Sequence, residues 1–489
     1  MLNAMRYVSL CIMLFMFVVI ILGVCSILVS SHHSHRSLPS WMATIWGSFT
    51  LPNHRHALGW WLGTRAFIFV IWGFFGFFTR SDVVYYFESI QRLFHGTPPS
   101  EVLIEYPTPL IWLLSVPYIL GFGTHRGYVV VFISMCLAGD AFIGYFLWRS
   151  ARQYGTNPRP AAAFWIWFVM ASGPIIYMRL DFLTAVLTAA GLISIVRYHR
   201  FTAGAIIGVG AAIKLWPALL WPSTMVDRRA VRRTSMGFFG VGALLVLTSL
   251  FYAGWDRLVS PLTWQSDRGL QIESVYATPV MIARLFSRDT WTVYASKYHA
   301  YEIAGPGTIF LTQVATVATI LGGITMVVLY VRWLRRKDRT PTEAGTLMII
   351  ATLIMIITNK TFSPQYMIWL GAPVAALLTI SVRHPELLPD QGHLFSWISR
   401  SKHLGQDQHL VGPLTLARHI AIWTLVLTLL TQAIYPMMYR YLINVRWLSP
   451  VALLVLTLRN AGLAYFAVRM VILALRSVRI WSPDRRVGK

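Results

Sequence analysis

Apolar runs of membrane-crossing length recur along the chain from residue 7 to residue 474, separated by short polar stretches in which arginine dominates. A helix needs about 20 apolar residues to cross the hydrocarbon core of a bilayer. Runs that meet or approach that length fall at 7–30, 61–79, 128–148, 161–178, 181–196, 235–253, 307–332, 343–359, 364–382, 419–437 and 449–474. The period-2 alternation of an outer-membrane barrel is absent. The pattern predicts an all-α polytopic integral membrane protein with about 11 transmembrane helices. Residues 7–30 read as a retained helix, since they are long for a signal peptide and no small-residue cleavage site follows.

Basic residues orient the runs. Clusters at Arg228, Arg229, Arg232 and Arg233, at Arg332, Arg335, Arg336, Lys337 and Arg339, and in the tail at Arg476, Arg479, Arg485 and Arg486 read as cytoplasmic. Alternation then places the loops 80–127 and 254–306 outside, with the turns at Arg179–Asp181 and Lys360–Gln365. Two stretches do not fit as full spans. Residues 108–121 are expected to lie along the outer surface, and 201–224, with Lys214 and Pro217, to form a broken re-entrant hairpin lining a cavity. Four parts follow: an additional helix and cytoplasmic linker (1–60), a core (61–382), a cytoplasmic loop (383–418) and a C-terminal pair of helices with a basic tail (419–489). Ten of the 18 acids fall on the outer side, so that face carries candidate chemistry and the inner face a topology signal.

Composition narrows the function. The chain is 56% hydrophobic and 12% charged with a formal net charge of +24. Its basic residues flank apolar runs, which argues for anionic headgroups and membrane lipids as neighbours and against nucleic acid. Cys11, Cys25 and Cys136 all lie inside apolar runs, leaving no disulfide framework or CxxC pair. His32, His33, His35, His54 and His56 read as a solvated linker before they read as metal ligands. No GxxxxGK[ST], GxGxxG or DxD occurs. P-loop energetics and the common metal–diphosphate clamp are therefore unsupported, and an activated lipid is the expected energy source.

The candidate chemistry begins at Arg80-Ser81-Asp82-Val83-Val84-Tyr85-Tyr86 and closes on Glu105-Tyr106-Pro107. Asp82 follows a span and precedes an amphipathic stretch, Val83–Phe94. A partly desolvated carboxylate there can accept a hydroxyl proton; a helix N-cap is the equal alternative. Glu105 reads as a second carboxylate or as a turn before Pro107. Arg179 and Asp181 suit a phosphate contact, a pair with Lys214, or a structural ion pair. Arg268, Gln271 and Glu273 lie in a polar outer loop with Gly269 at a turn, fit for a sugar or phosphate. Lys360, Gln365 and Tyr366 form a polar hinge that either balances a lipid phosphate or holds a snorkelling lysine. Asp140, inside a span, is expected to hydrogen-bond a neighbouring helix.

In this order the motifs resemble glycosyltransferases of the GT-C class, and family 87 in particular. They are Asp82 to Tyr86, Glu105-Tyr106-Pro107, Asp140, Arg179 and Asp181, Ala212 to Pro217, Arg268 to Ser274, and Ser363 to Tyr366. The resemblance covers about residues 61–382. It departs from the family in the extra helix within 1–60 and in Tyr106-Pro107-Thr108 where Tyr-Pro-Pro is common. It implies a GT-C fold with interfacial helices in the outer loops, and inverting transfer of a sugar on the outer face of the cell membrane. Mannose leads, with an α-linked product. The donor is a polyprenyl-phosphate sugar and the acceptor a glycan or glycolipid of the envelope. Asp82 is then the general base and Glu105 its helper. Arg268, Lys360, Arg179 and Lys214 are candidates for the phosphate, and Arg80, Tyr85, Tyr86, Tyr106, Asp181, Gln271, Glu273, Gln365 and Tyr366 for substrate contacts. No cofactor is required, and a cation riding on the donor phosphate stays compatible. Arabinofuranose is the alternative sugar, and a lipid or polysaccharide transporter the alternative class.

Overall fold

A computed structural model describes residues 54–153, 158–266, 268–298, 300–337, 339–381 and 413–476. The helix expected at 7–30, most of the loop 383–418 and the tail beyond residue 476 lie outside the described residues, as do the side chains of 74–81.

The described residues are almost wholly helical: α1 (His54–Phe94), α2 (Pro109–Leu120), α3 (His125–Gln153), α4 (Arg159–Ser172), α5 (Asp181–Val196), α6 (Arg200–Ile213), α7 (Arg228–Ser266), α8 (Thr278–Ala283), α9 (Thr308–Leu334), α10 (Pro341–Thr358), α11 (Ile368–Ser381), α12 (Pro413–Gln432), α13 (Tyr439–Ile443) and α14 (Ser449–Arg476). One small antiparallel hairpin, β1 (Thr292–Ala295) with β2 (Tyr301–Ala304), interrupts them. Among the described residues seven helices are long and apolar enough to cross a membrane.

Burial sorts the helices by position. A helix that is apolar all round belongs inside, and in α4 and α11 every residue from Pro160 to Ser172 and from Ile368 to Ile380 is buried. Around α11 pack α4, α5, α10 and α12. By contrast α9 turns Ile309, Val317, Ile320, Ile324 and Val327 outward, each more than half exposed. So broad an apolar surface is compatible with lipid and not with water.

The two stretches that did not fit as full spans form a short helix and a broken one. Residues 108–121 contain the short α2. The segment 201–224 is broken at Lys214, whose extended backbone (φ −151°, ψ 129°) ends α6 before a 3-10 stretch, Trp216–Thr224. Gly254, at φ 79°, breaks α7 one residue after the expected span ends. Basic groups gather at one end of the bundle, where Arg197 bonds Ser150 (3.1 Å), Arg200 bonds Asp227 (3.0 Å) and Arg339 reaches the Val226 carbonyl (3.4 Å).

Candidate functional site

The opposite ends of α5 and α6 carry the site. Asp82 sits inside α1, which began at His54, so the N-cap reading of that residue does not hold. On this helix Val83, Tyr86, Phe87 and Ile90 face inward at helical spacing, giving the amphipathic stretch expected after Asp82. The Asp82 Oδ2 lies 2.9 Å from Arg179 Nε, with the Asp82 side chain 23% exposed and that of Arg179 6%. Burial opposes the charge on Arg179, and the Asp82 carboxylate with Tyr435 overcomes it, holding the guanidinium above its usual value.

Two residues on, Asp181 opens α5 and is buried. Lys214 Nζ donates to its Oδ1 at 2.6 Å, and Trp369 Nε1 donates to the same oxygen. The break after α6 makes this possible, because it aims Lys214 at the first residue of α5 instead of along the helix. The ammonium sits 5.8 Å from the Tyr106 ring centroid and 5.4 Å from that of Trp369, a cation–π contact on either side. Trp369 is itself held by stacking on Tyr366 (4.1 Å) and Trp216 (5.0 Å). Tyr106 and Tyr86 bring their hydroxyls to 3.4 Å. Burial, with Asp82 and Glu105 adding, pushes the Tyr106 hydroxyl well above its ordinary pKa, so it acts as a neutral hydrogen-bonding group. Asp82, Tyr86, Tyr106, Arg179, Asp181, Lys214 and Tyr366 therefore form one connected cluster.

Glu105 hydrogen-bonds Tyr85. Its loop is fixed from below by Arg257, 1% exposed, whose guanidinium donates to the Tyr106 and Leu103 carbonyls at 2.8 Å each. Ser260 adds a bond to the Ile104 carbonyl (2.7 Å). These donors stand on the part of α7 beyond Gly254, so the kink serves to cap the loop that bears Glu105 and Tyr106.

The other candidates are placed differently. Glu273 is spent on α14: Arg459 donates to its Oε2 (3.3 Å) and its carbonyl (2.7 Å), and Asn460 to the same carbonyl (3.2 Å). Burial pushes the Glu273 carboxyl up, to about 7, against the opposing pull of Arg459. Gln271 is tied through its N–H to the Lys360 carbonyl (3.3 Å), joining the two polar loops. Arg268 lies 5.5 Å from the Tyr298 ring, and Gln365 Oε1 accepts from Ser363 (2.6 Å). The Arg80 side chain lies outside the described residues. Asp140 takes four donors: Arg65 Nε (2.8 Å) and a second Arg65 nitrogen (2.7 Å), Trp165 Nε1 (2.8 Å) and the Tyr177 hydroxyl (2.6 Å). Among the described residues no group of three or more His, Cys, Asp or Glu is set to hold a metal ion.

Arg257, Arg459 and Trp369 carry this end of the molecule, Arg65 holds Asp140 within the bundle, and none of the four was singled out from the sequence. For Arg459 and Asn460 a signal existed, since adjacent polar residues in the middle of an apolar run demand a partner.

Residues 105–364, more than half of the 489, match the model of glycosyltransferase family 87. Asp82 lies ahead of the matched range. No curated protein sequence matches the chain. Among solved structures, ArnT from Cupriavidus metallidurans bound to undecaprenyl phosphate is 14% identical with a TM-score of 0.41, over 85% of this chain and 77% of that one. A superposition that loose carries no residue correspondence.

Proposed function

The chain belongs to glycosyltransferase family 87, and from that premise we propose that it moves a sugar, mannose in the first place, from a polyprenyl-phosphate donor to a lipid-linked or envelope glycan on the outer membrane face. The observation that carries this reading is the joining of Asp82–Arg179 and Asp181–Lys214 through Tyr106 at one end of the bundle.

Asp82, part-exposed, takes the proton of the acceptor hydroxyl as that oxygen attacks the anomeric carbon. The bond from the anomeric carbon to the phosphate oxygen breaks with inversion, giving an α-linked product. The leaving group is a phosphate monoester, stable as an anion, so no strong acid is called for. Arg179 is nearly enclosed and fixes the Asp82 carboxylate. Lys214, 20% exposed, is the better placed cation for the departing phosphate. The two tyrosine hydroxyls are neutral donors beside it. Transport of a lipid-linked glycan, the other class open from the sequence, has no counterpart in a family of transferases.

The test is transfer from synthetic polyprenyl-phosphomannose to a panel of acceptor glycolipids by purified wild type and Asp82→Asn. Wild-type transfer with a loss of about a hundredfold to ten-thousandfold in the variant is expected for a general base. Equal transfer by both would remove Asp82 from that role and move it to Glu105. Wild-type transfer from the polyprenyl-phosphoarabinofuranose donor alone would change the sugar and leave the mechanism.

A further inference from the structure

The hairpin of β1 and β2 is extended by an isolated antiparallel bridge from residues 270–272. Ile303 N donates to the Leu270 carbonyl (2.9 Å) and Ile272 N to the Tyr301 carbonyl (3.1 Å), which sets Gln271 opposite Glu302. On the other side of β2, Tyr294 stands opposite Glu302. Residues directly opposite in paired strands share a face, and their neighbours take the other. One face of the patch therefore presents Tyr294, Glu302 and Gln271 in a row. The other presents Leu270, Ile272 and Ile303, which join the hydrophobic core.

The polar row has more acceptors than donors. Glu302 Oε2 takes the Gly269 N–H (3.2 Å) and the Tyr294 hydroxyl (3.2 Å). Glu302 Oε1 and Gln271 Oε1 are buried and take no hydrogen bond from any described residue, in side chains only 2% and 3% exposed. Buried acceptors without donors are costly and rare. A pair in register on one sheet face points to a ligand that brings donors.

We propose that Glu302 and Gln271 form a sugar subsite, with Glu302 Oε1 and Gln271 Oε1 accepting hydrogen bonds from sugar hydroxyls. This rests on the transferase reading above and adds where a sugar is held. A divalent cation fits less well, since among the described residues no group of three or more His, Cys, Asp or Glu forms here to complete a ligand set. Gly269 belongs to the same design, because a side chain there would strike the Glu302 carboxylate. The hydroxyls come either from the donor's sugar or from the acceptor's, and kinetics separate the two.

Steady-state transfer is measured for wild type, Glu302→Gln and Gln271→Ala, varying donor and acceptor in turn. A rise of about tenfold to a hundredfold in one KM, with kcat less affected, is expected where a site built to bind hydroxyls loses an acceptor. A rise in the donor KM assigns the donor sugar, and a rise in the acceptor KM the acceptor sugar. Both KM values within twofold of wild type in both variants would overturn the subsite and leave Glu302 and Gln271 paired with each other. If Glu302→Gln does not fold, Gln271→Ala decides. Saturation-transfer NMR with methyl α-mannopyranoside and methyl α-arabinofuranoside reads the site without turnover. Signal from one of them with wild type, lost in Glu302→Gln, is expected even if no transfer is seen, in which case the transferase reading fails alone. No signal from either, together with unchanged KM values, refutes the subsite.

Discussion

Asp82 and Asp140 both sit inside long helices, and what surrounds each decides its use. Asp140 is fully buried with four donors on its two oxygens, so its acceptor capacity is filled and it has nothing left for a substrate. Asp82 has one ion pair and an open side. Asp140→Ala leaves the Arg65 guanidinium buried and unmatched, and a loss of about 3–5 kcal/mol is expected, read as a fall in the thermal unfolding temperature of detergent-purified protein. Asp82→Asn keeps an acceptor oxygen for Arg179 and should cost less; the reverse order would show that the structural and chemical roles are exchanged. That Asp140 would bond a neighbouring helix was legible from its place in a span. Its partner was not. Arg65, Arg257 and Arg459 lie in or beside apolar runs, where an arginine that snorkels and one that is buried look alike in one dimension. What separates them is a carbonyl or carboxylate supplied by a distant segment, as Leu103 and Tyr106 supply Arg257.

Helices α6 and α7 show how an element brings chemistry to the site. They cross with their backbones in near contact: a side chain at Gly204 would strike the Thr234 carbonyl, and one at Gly237 the Phe201 carbonyl. That closeness fixes α6, and with it Lys214 at the helix end. Gly204→Val is expected to cost about 1–3 kcal/mol by overpacking and to lower transfer at least tenfold as Lys214 moves off Asp181. Gly240→Val on α7, where a side chain meets nothing within 4 Å, is the control. Loss of activity in both would mean that α7 resists substitution generally and that the crossing is not the cause. The broken hairpin was legible because Lys214 and Pro217 interrupt an apolar run that charge alternation could not accommodate. The small sheet was not, since its strands are four residues long and sit in a loop whose composition signals only polarity.

Across the molecule, residues far apart in the chain assemble one end of the bundle, and α14 holds much of it in place. Arg459 grips the 268–274 loop through Glu273 while its guanidinium lies 4.0 Å from the Phe362 ring of the 359–366 turn. Charge alternation could assign those loops to one face, as it did, but the anchor needs a helix from the far end of the sequence. The titration of Glu273 gives this arrangement a measurable signature. Its carboxyl is raised in the fold to about 7 from an ordinary value of 4.5. Between those values the folded protein holds a proton that the unfolded chain has released. The stabilisation is therefore fully present below about pH 4.5 and is lost as pH rises through about 7, a change on the order of 3 kcal/mol. In Glu273→Gln that contribution cannot titrate. The comparison to make is the unfolding temperature of both proteins from pH 4.5 to 8: wild type should decline more steeply across the interval than the variant. Parallel curves would mean that Glu273 stays ionised with Arg459 throughout, and that an ion pair, not a shared proton, fastens the loop to α14.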